Sequence, residues 1–499
     1  MLRIQSTGSD LPTGADTLRI NKVNEVYIKI EADLAIRQEL VDFFTFEVPG
    51  ARFSPKFQHG IWDGKIRLYN RATGLLYAGL LPLVEYFAKD NGYAVDLSLT
   101  ELKVSYSVNE AREFIKTLNI PEDKEERDYQ IDSFVELIRE RRGLLVSPTA
   151  SGKSFIIYLL LRYYATKKIL IICPTTALVK QMIGDIVEYG ADHDDIHYIM
   201  AKQSKETDKR IVVSTWQSLQ KMPESYFDQY DVVFGDECHL FQAKALTNIM
   251  KNLTRCKYKY GFTGSLSETK THHLILQGLY GRIIQFVTTK ELQDAGYLAQ
   301  TKIKCLVLKH PREECSTVMK GDYQNEIKYI ISSDKRNRFI KNLALSLEGN
   351  TLILYRRVET HGVLLYDMIR EAVGDTRPVF FVSGDVSTDE REIIRKATEL
   401  EDNAIIVASE GTFSTGTNIR KLNSLILASP SKSRIRLLQS IGRLLRMVEG
   451  ASDTTVFDIS DDYRTGKKAN TTLNHFAKRV IIYNEQQFNY KIYNITLQE

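Results

Sequence analysis

The sequence predicts an α/β chain in which two consecutive parallel-sheet domains follow a small α+β module. Two series of short β-branched runs carry that expectation: LLV, ILIIC, RIVVST and DVVFGDE, then TLILY, PVFFVSG, AIIVAS and SLILAS, each followed by a segment of helical periodicity. Buried strands of this kind alternating with helices imply mainly parallel sheets covered on both faces. The first 112 residues lack the rhythm. They mix alternating stretches, Val26 to Ile30 and Leu102 to Ser107, with one helical pattern around Ala35 to Phe44, the texture of a small α+β unit. At 499 residues and 43% hydrophobic side chains, the chain can fill about three cores of ~150 residues each. No repeat of about 20 to 50 residues is present, which excludes a solenoid.

The expected borders are 1–112 for the module, 113–301 and 302–450 for the two parallel-sheet domains, and 451–499 for a helical extension packed on the second. PEDKEERD, Pro121 to Asp128, reads as a solvated connector. Lys and Arg number 67 against 63 Asp and Glu, a formal net charge of +4, so bulk charge selects neither nucleic acid nor membrane. Cys173, Cys238, Cys256, Cys305 and Cys315 are too few and too scattered for a disulfide framework or a zinc clamp, so free thiols in a reducing compartment are expected. No apolar stretch approaches about 18 residues. A cytoplasmic chain without a membrane partner is expected, with a monomer as the default.

The first chemistry-bearing segment follows the apolar run Leu144 to Val146. It reads Ser147, Pro148, Thr149, Ala150, Ser151, Gly152, Lys153, Ser154 and leads into the helical pattern FIIYLLLRYY. Strand, turn and helix in that order are the setting of a phosphate-binding loop, with Lys153 reaching the β/γ-phosphates and the Ser154 hydroxyl ligating Mg²⁺. Ser147 replaces the first Gly of the strict pattern, and GKS alone fits an ordinary strand-to-helix turn equally well. The second segment, YDVVFGDECH, places Asp236 and Glu237 at the end of a buried strand, where paired carboxylates are costly without a cation. In a phosphate-loop site Asp236 holds Mg²⁺ and Glu237 orients and deprotonates the attacking water.

DECH is a variant of the DExH box, and from about Arg127 to residue 450 the chain resembles the superfamily 2 helicases. RDYQ, Arg127 to Gln130, resembles the adenine-reading Q motif; CPTTALVKQ and STWQSL resemble motif Ia and the strand-binding motif after it. GFTGSL resembles motif III, with Thr263-Gly264-Ser265 replacing the commoner Ser-Ala-Thr; ASEGTFSTGTNI resembles motif V and QSIGRLLR motif VI. Overall the chain is similar to phage UvsW-type helicases, which share motor features with RecG-like and type III restriction motors. The resemblance implies RecA-like folds for both parallel-sheet domains, with ATP and Mg²⁺ as cofactors. It implies Gln130 and Arg127 at the adenine, and Gly416 and Asn418 at the nucleotide. It also implies Gln439, Arg443 and Arg446 as catalytic groups across the interdomain cleft, the arginines stabilising charge on the γ-phosphoryl.

The same resemblance implies ATP-driven unwinding and remodelling of branched DNA (forks, Holliday junctions, D-loops and R-loops) in recombination, repair and replication, with 3′ to 5′ polarity. Branched and single-stranded DNA are the expected partners, with RNA–DNA hybrids a further one. An RNA or hybrid helicase, or a largely ATP-independent annealing protein, remains an alternative, because motor motifs contact backbone.

Hydroxyls and amides at Thr175, Ser214, Thr215, Ser383, Gly384 and Ser409 suit phosphate contacts, although caps and turns use the same groups. One window of the module is locally basic. Arg52, Lys56, Lys65, Arg67 and Arg71 stand against Asp63 alone, interleaved with Phe53, Phe57, Trp62 and Tyr69. Cations with aromatic faces compose a single-strand or junction contact, which makes Lys56, Trp62, Lys65 and Arg67 candidate DNA groups; the same residues would also serve a small core with a solvated edge. IWDGK reads as a hairpin turn centred on Asp63-Gly64. After Asp461, the basic residues Arg464, Lys467, Lys468, Lys478 and Arg479 either buttress the second domain or touch duplex DNA.

Overall fold

The computed structural model describes residues 16–97, 104–122, 124–199, 204–240, 243–266, 270–386, 388–414, 419, 421–431, 433–444 and 453–497. The N-terminal module contributes β1 (Thr17–Lys22), β2 (Tyr27–Glu31), β3 (Thr45–Glu47), β4 (Lys65–Arg67), β5 (Leu75–Tyr77) and β6 (Ala94–Leu97). Four of these form a mixed sheet in the order β5-β2-β1-β6, while β3 and β4 pair separately and antiparallel. Alternation puts Leu18, Ile20, Ile28 and Ile30 on one buried face, packed with Ile36 and Leu40 of helix Leu34–Phe43 and Val84 and Phe87 of helix Leu81–Asn91.

The first parallel-sheet domain holds β7 (Arg142–Val146), β8 (Ile169–Cys173), β9 (Ile196–Ile199), β10 (Ile211–Thr215), β11 (Val232–Gly235), β12 (Tyr258–Thr263) and β13 (Ile283–Ile284). They form a parallel sheet in the order β13-β7-β12-β11-β8-β10-β9. Every residue of ILIIC, IVVST and VVFG is buried, as two covered faces require. The second domain repeats the plan with β14 (Gln300–Lys309), β15 (Thr351–Tyr355), β16 (Val379–Val382), β17 (Ile405–Ser409), β18 (Ser424–Leu427), β19 (Asp453–Asp462) and β20 (Asn489–Thr496). Its order is β16-β17-β15-β18-β19-β14-β20, again parallel. No helix among the described residues is long and apolar enough to cross a membrane.

Three expectations need correction. Residue 112 lies inside helix Val108–Lys116, whose Ala111 and Ile115 pack in the core of the first parallel-sheet domain beside Phe134, so the module's own sheet ends at Leu97. The C-terminal segment is not simply a helical extension. It supplies β19 and β20 to the second sheet around helix Thr471–Glu485, and buried Arg479 of that helix forks onto Asp458 of β19 at 2.7 and 2.9 Å. Arg479 thus buttresses the second sheet. Asp63-Gly64 is not a two-residue hairpin turn: β4 pairs with β3 across residues 48–64, and Asp63 Oδ1 instead accepts the Lys65 N–H at 3.1 Å.

The module is fused to the first parallel-sheet domain rather than tethered to it. Its core side chains form one cluster with Leu144, Leu170, Ile172, Val212 and Val233 on one face of that sheet. The Arg142 guanidinium donates to the Glu25 carbonyl (3.0 Å), and the Glu25 N–H donates to the Thr254 carbonyl (3.0 Å). Where Ala78–Leu80 meets helix Lys270–Tyr280 the backbones nearly touch: a Cβ on Gly79 would stand 2.2 Å from the Gln277 carbonyl oxygen. Gly79→Ala is therefore expected to cost about 1–3 kcal/mol by overpacking and to split off a lower-temperature module transition in calorimetry. An unchanged thermogram would contradict this docking.

Candidate functional site

The phosphate-loop segment leaves the C-terminal end of β7 and enters helix Lys153–Tyr163. Ala150 (φ 66°) and Gly152 (φ 83°) take left-handed conformations that curl the loop. Ser147, the departure from the strict pattern, is buried and needs no such conformation. Its hydroxyl sits 2.6 Å from that of Ser151 across the loop, and its N–H donates to the Thr263 carbonyl (3.0 Å). A side chain thus braces the loop where glycine would leave a void. Lys153 Nζ donates to the Ser147 and Pro148 carbonyls at 3.2 and 3.3 Å, inside a loop whose backbone amides and helix N-terminus suit phosphate oxygens.

β11 and β12 end on the same edge as β7 and deliver Asp236, Glu237 and Thr263 beside that loop. Asp236 is buried, and desolvation followed by the neighbouring Glu237 pushes its carboxyl well above the usual carboxylate range, with Lys153 opposing. Glu237 holds a left-handed backbone (φ 45°), a strained choice for this residue type. Its carboxylate lies 4.0 Å from Lys153 Nζ, 3.3 Å from His239 Nδ1 and 3.4 Å from the Gly264 N–H. An oxygen-only set of buried carboxylate and loop hydroxyl suits Mg²⁺, which keeps several waters and rests partly on substrate phosphates. Among the described residues no group of three or more His, Cys, Asp or Glu side chains could hold a metal ion. The Ser154 hydroxyl, expected to ligate the ion, lies close to the Tyr189 phenol here.

His239 joins this edge to the second domain. Thr263 Oγ1 donates to the Ser265 carbonyl (2.7 Å), so it must accept from His239 Nδ1 at 2.6 Å. Nδ1 therefore carries the hydrogen, and Nε2 accepts from the Gln439 amide at 3.2 Å. Burial lowers the pKa of His239, which favours the neutral ring. Gln439 belongs to helix Arg434–Leu444, whose Gly442 approaches the loop so closely that a Cβ would meet Thr149 Cβ at 2.6 Å. A cleft of about 700 Å³ opens beside this contact, lined by Pro148, Gly264, Arg434 and Leu438 among others. The Arg443 side chain, Arg446, Gly416 and Asn418 lie outside the described residues.

Gln130 is buried and faces the loop. Its Oε1 accepts the Arg127 N–H (3.0 Å), and its Nε2 donates to the Ser151 carbonyl (2.9 Å). The Arg127 guanidinium lies over the Tyr297 ring at 4.4 Å. Sequence reading missed Tyr297, an aromatic in the segment between the two domains; no motif there signals it, and only the fold brings it to Arg127.

Several expected nucleic-acid groups point elsewhere in this structure. Ser214, Thr215, Ser383 and Ser409 are buried. Their hydroxyls bond Ile199 O, Ser218 Oγ, the Asp385 N–H and Thr412 Oγ1 respectively, so each already has a partner within the protein. Thr175 caps helix Thr176–Glu188 through the Leu178 N–H (3.3 Å), and Gly384 is exposed. Lys56, Lys65 and Arg67 are exposed and Trp62 is half-buried. Lys65, Arg67 and Arg71 line a groove of about 570 Å³ with Gln38, Asp42 and Thr45. The partner assignments around His239 predict a neutral Nδ1–H ring at pH 6, where a free imidazole is largely charged; long-range ¹H–¹⁵N spectra read this directly. An imidazolium or an Nε2–H tautomer at that pH would refute the arrangement.

Two family models match: "DNA helicase UvsW, N-terminal" over residues 18–98 and "Type III restriction enzyme, res subunit" over residues 123–268. The ATP-dependent DNA helicase uvsW of Enterobacteria phage T4 is 37% identical over 94% of this chain and 98% of its own length. The DNA 3'-5' translocase XPB2 of Sulfurisphaera tokodaii is 24% identical over 64% of this chain and 78% of its own. The crystal structure of T4 UvsW covers 97% of this chain and 100% of that one, with 33% identity and a TM-score of 0.51. The braced phosphate loop, the DECH edge and this similarity along nearly the whole chain converge on one conclusion: the chain belongs to the UvsW family of superfamily 2 helicases.

Proposed function

We propose that the chain is an ATP-dependent DNA helicase and translocase that remodels branched DNA (forks, Holliday junctions, D-loops and R-loops) in recombination, repair and replication. The observation that carries this reading is the meeting of two parallel-sheet domains over one phosphate loop, with Gln439 bonded to His239 and Gly442 against Thr149. ATP placed there touches both domains, so loss of its γ-phosphoryl removes a contact that favours closure. The working division is a module at 1–97, a nucleotide-binding domain to about residue 299 and a second motor domain completed by the C-terminal strands.

In this reading Lys153 releases the Ser147 and Pro148 carbonyls to meet the β/γ-phosphates. Within the loop Ser147 to Ser154, the amides of Thr149, Ala150, Gly152, Lys153 and Ser154 cradle the phosphate oxygens, with Gly416 and Asn418 beside the nucleotide. Glu237, held by Lys153, His239 and the Gly264 N–H, orients the attacking water and accepts its proton. Arg443 and Arg446 stabilise negative charge on the γ-phosphoryl, and Gln439 ties the helix that carries Arg443 to the hydrolytic edge. Ser154 and Asp236 would hold Mg²⁺, which when bound neutralises phosphate charge. Gln130 fixes the loop wall, with Arg127 at the base. Lys56, Trp62, Lys65 and Arg67 contact DNA, with Thr175 and Gly384 at its backbone. The chain acts as a monomer in the cytoplasm, that of the host where a phage encodes it.

ATP turnover with no polymer, single-stranded DNA, duplex, forked DNA, RNA and hybrid tests this reading. Forked and single-stranded DNA are expected to stimulate the parent, and Lys153→Ala to lose about 10²-fold or more, the scale of one lost charge-stabilising donor. Equal turnover under every condition rejects a nucleic-acid motor, and stimulation by RNA alone moves the reading to an RNA helicase.

A further inference from the structure

The helix Lys270–Tyr280, which follows the Thr263-Gly264-Ser265 string, touches three parts of the molecule. Near its start His273 lines the interdomain cleft. Further on it meets the module: a Cβ on Gly278 would stand 2.9 Å from the Tyr77 ring of β5, and the Gln277 carbonyl oxygen lies against Gly79. Leu274, Leu276, Leu279 and Tyr280 belong to the core that the module shares with the first motor sheet. At the helical rise, His273 and Tyr280 lie about 10 Å apart along the axis.

The last residue of the helix reaches the hydrolytic edge from beneath. Tyr280 is fully buried, and its ring lies across β11 and β12 where Gly235 and Gly261 stand opposite each other in the register. A Cβ on Gly261 would stand 2.9 Å from that ring, and a Cβ on Gly235 would fall onto the phenol oxygen. Gly235 ends β11 and leads directly into Asp236 and Glu237. The phenol therefore sets how deep the end of that strand can sit. Its hydroxyl is buried and has no hydrogen-bond partner among the described residues. A buried hydroxyl without a partner is a cost to stability, and phenylalanine would fill most of the same space without it. Packing alone gives no reason for tyrosine here, whereas contact with the strand that carries Asp236 does.

We propose that Tyr280 is a positioning residue for ATP hydrolysis: its hydroxyl, pressed against Gly235, holds Asp236 and Glu237 at the phosphate loop, and its helix carries the seating of the module to that edge. Tyr280 acts through the strand and touches neither nucleotide nor DNA. The inference rests on the motor reading and adds a route by which the module reaches the chemistry. No covalent step is involved. A shift of the strand end moves the Glu237 carboxylate away from the attacking water, and a misplacement of about 1 Å can cost about 10²-fold in rate.

The test compares the full-length parent with Tyr280→Phe, Gly278→Ala, Gly235→Ala and the double variant Gly235→Ala/Tyr280→Leu. Three quantities are read: kcat and KM for ATP on single-stranded DNA, affinity for a fluorescent non-hydrolysable ATP analogue, and melting temperature. Tyr280→Phe should melt no lower than the parent and keep KM and analogue affinity within about twofold, yet lose about fivefold or more in kcat, the split expected when only the chemical step is disturbed. Gly278→Ala, which presses on Tyr77, should show the same split. Gly235→Ala should lose kcat as its Cβ meets the phenol, and the double variant, which clears that space, should turn over faster than Gly235→Ala alone. Parental kcat in Tyr280→Phe, or a kcat loss matched by an equal loss of analogue affinity, overturns the positioning role and leaves the motor standing. Parental kcat in Gly278→Ala overturns the link to the module. A parent without DNA-stimulated turnover defeats the helicase reading, and the inference with it.

Discussion

A single neutral imidazole joins the two halves of this molecule at the place where chemistry must become movement. His239 ends the DECH string, gives its Nδ1 hydrogen to Thr263 Oγ1 and takes a hydrogen bond at Nε2 from Gln439 of the other domain. Each partner constrains the next. Thr263 is oriented by the Ser265 carbonyl, the ring by Thr263, and Gln439 by the ring. A charged imidazole would donate at both nitrogens and could not accept from the Gln439 amide, so the burial that lowers the pKa of His239 favours the connection.

Around that ring the site concentrates unfavourable choices. Asp236 is buried beside Glu237, Glu237 adopts a left-handed backbone, and Lys153 is folded back onto two carbonyls of its own loop. Buried charge and backbone strain persist where surrounding structure over-determines them. Here β7, β11 and β12 fix the loop ends, and Ser147 fills the loop with a hydroxyl. The Thr-Gly-Ser departure in motif III fits this frame. Thr263 supplies the hydroxyl, and Gly264 passes close to Thr149 and Lys153, where a Cβ would stand 3.4 and 3.7 Å away.

Most of the motor was legible in the sequence because its strands are buried on both faces and its loops carry chemistry that few residue types can perform. ILIIC and IVVST could hardly be anything but central strands, and DECH announces its edge. What escaped was non-local. Asn489–Thr496 is an edge strand with mostly open side chains, so its run NYKIYNIT lacks a buried strand's signature. Asp63-Gly64 looks like a tight turn, but long-range pairing of Thr45–Glu47 with Lys65–Arg67 prevails and gathers the intervening residues into a lobe. Ser214 and Ser409 carry hydroxyls suited to phosphate, and only burial shows that those hydroxyls already have partners. Gln130 was legible as a site residue, whereas its grip on Ser151 was not.

The module extends the same logic outward. Its core continues into the first motor sheet, so the module is packed on the domain that carries the phosphate loop, which His239 joins to the second domain. A double-mutant cycle on DNA-stimulated ATP turnover, with His239→Ala, Gln439→Ala and both together, tests this connection most directly. The account predicts strong non-additivity, about fivefold or ~1 kcal/mol, with the double variant little worse than either single one. Effects that simply multiply would show that the two residues act independently, and would contradict the account.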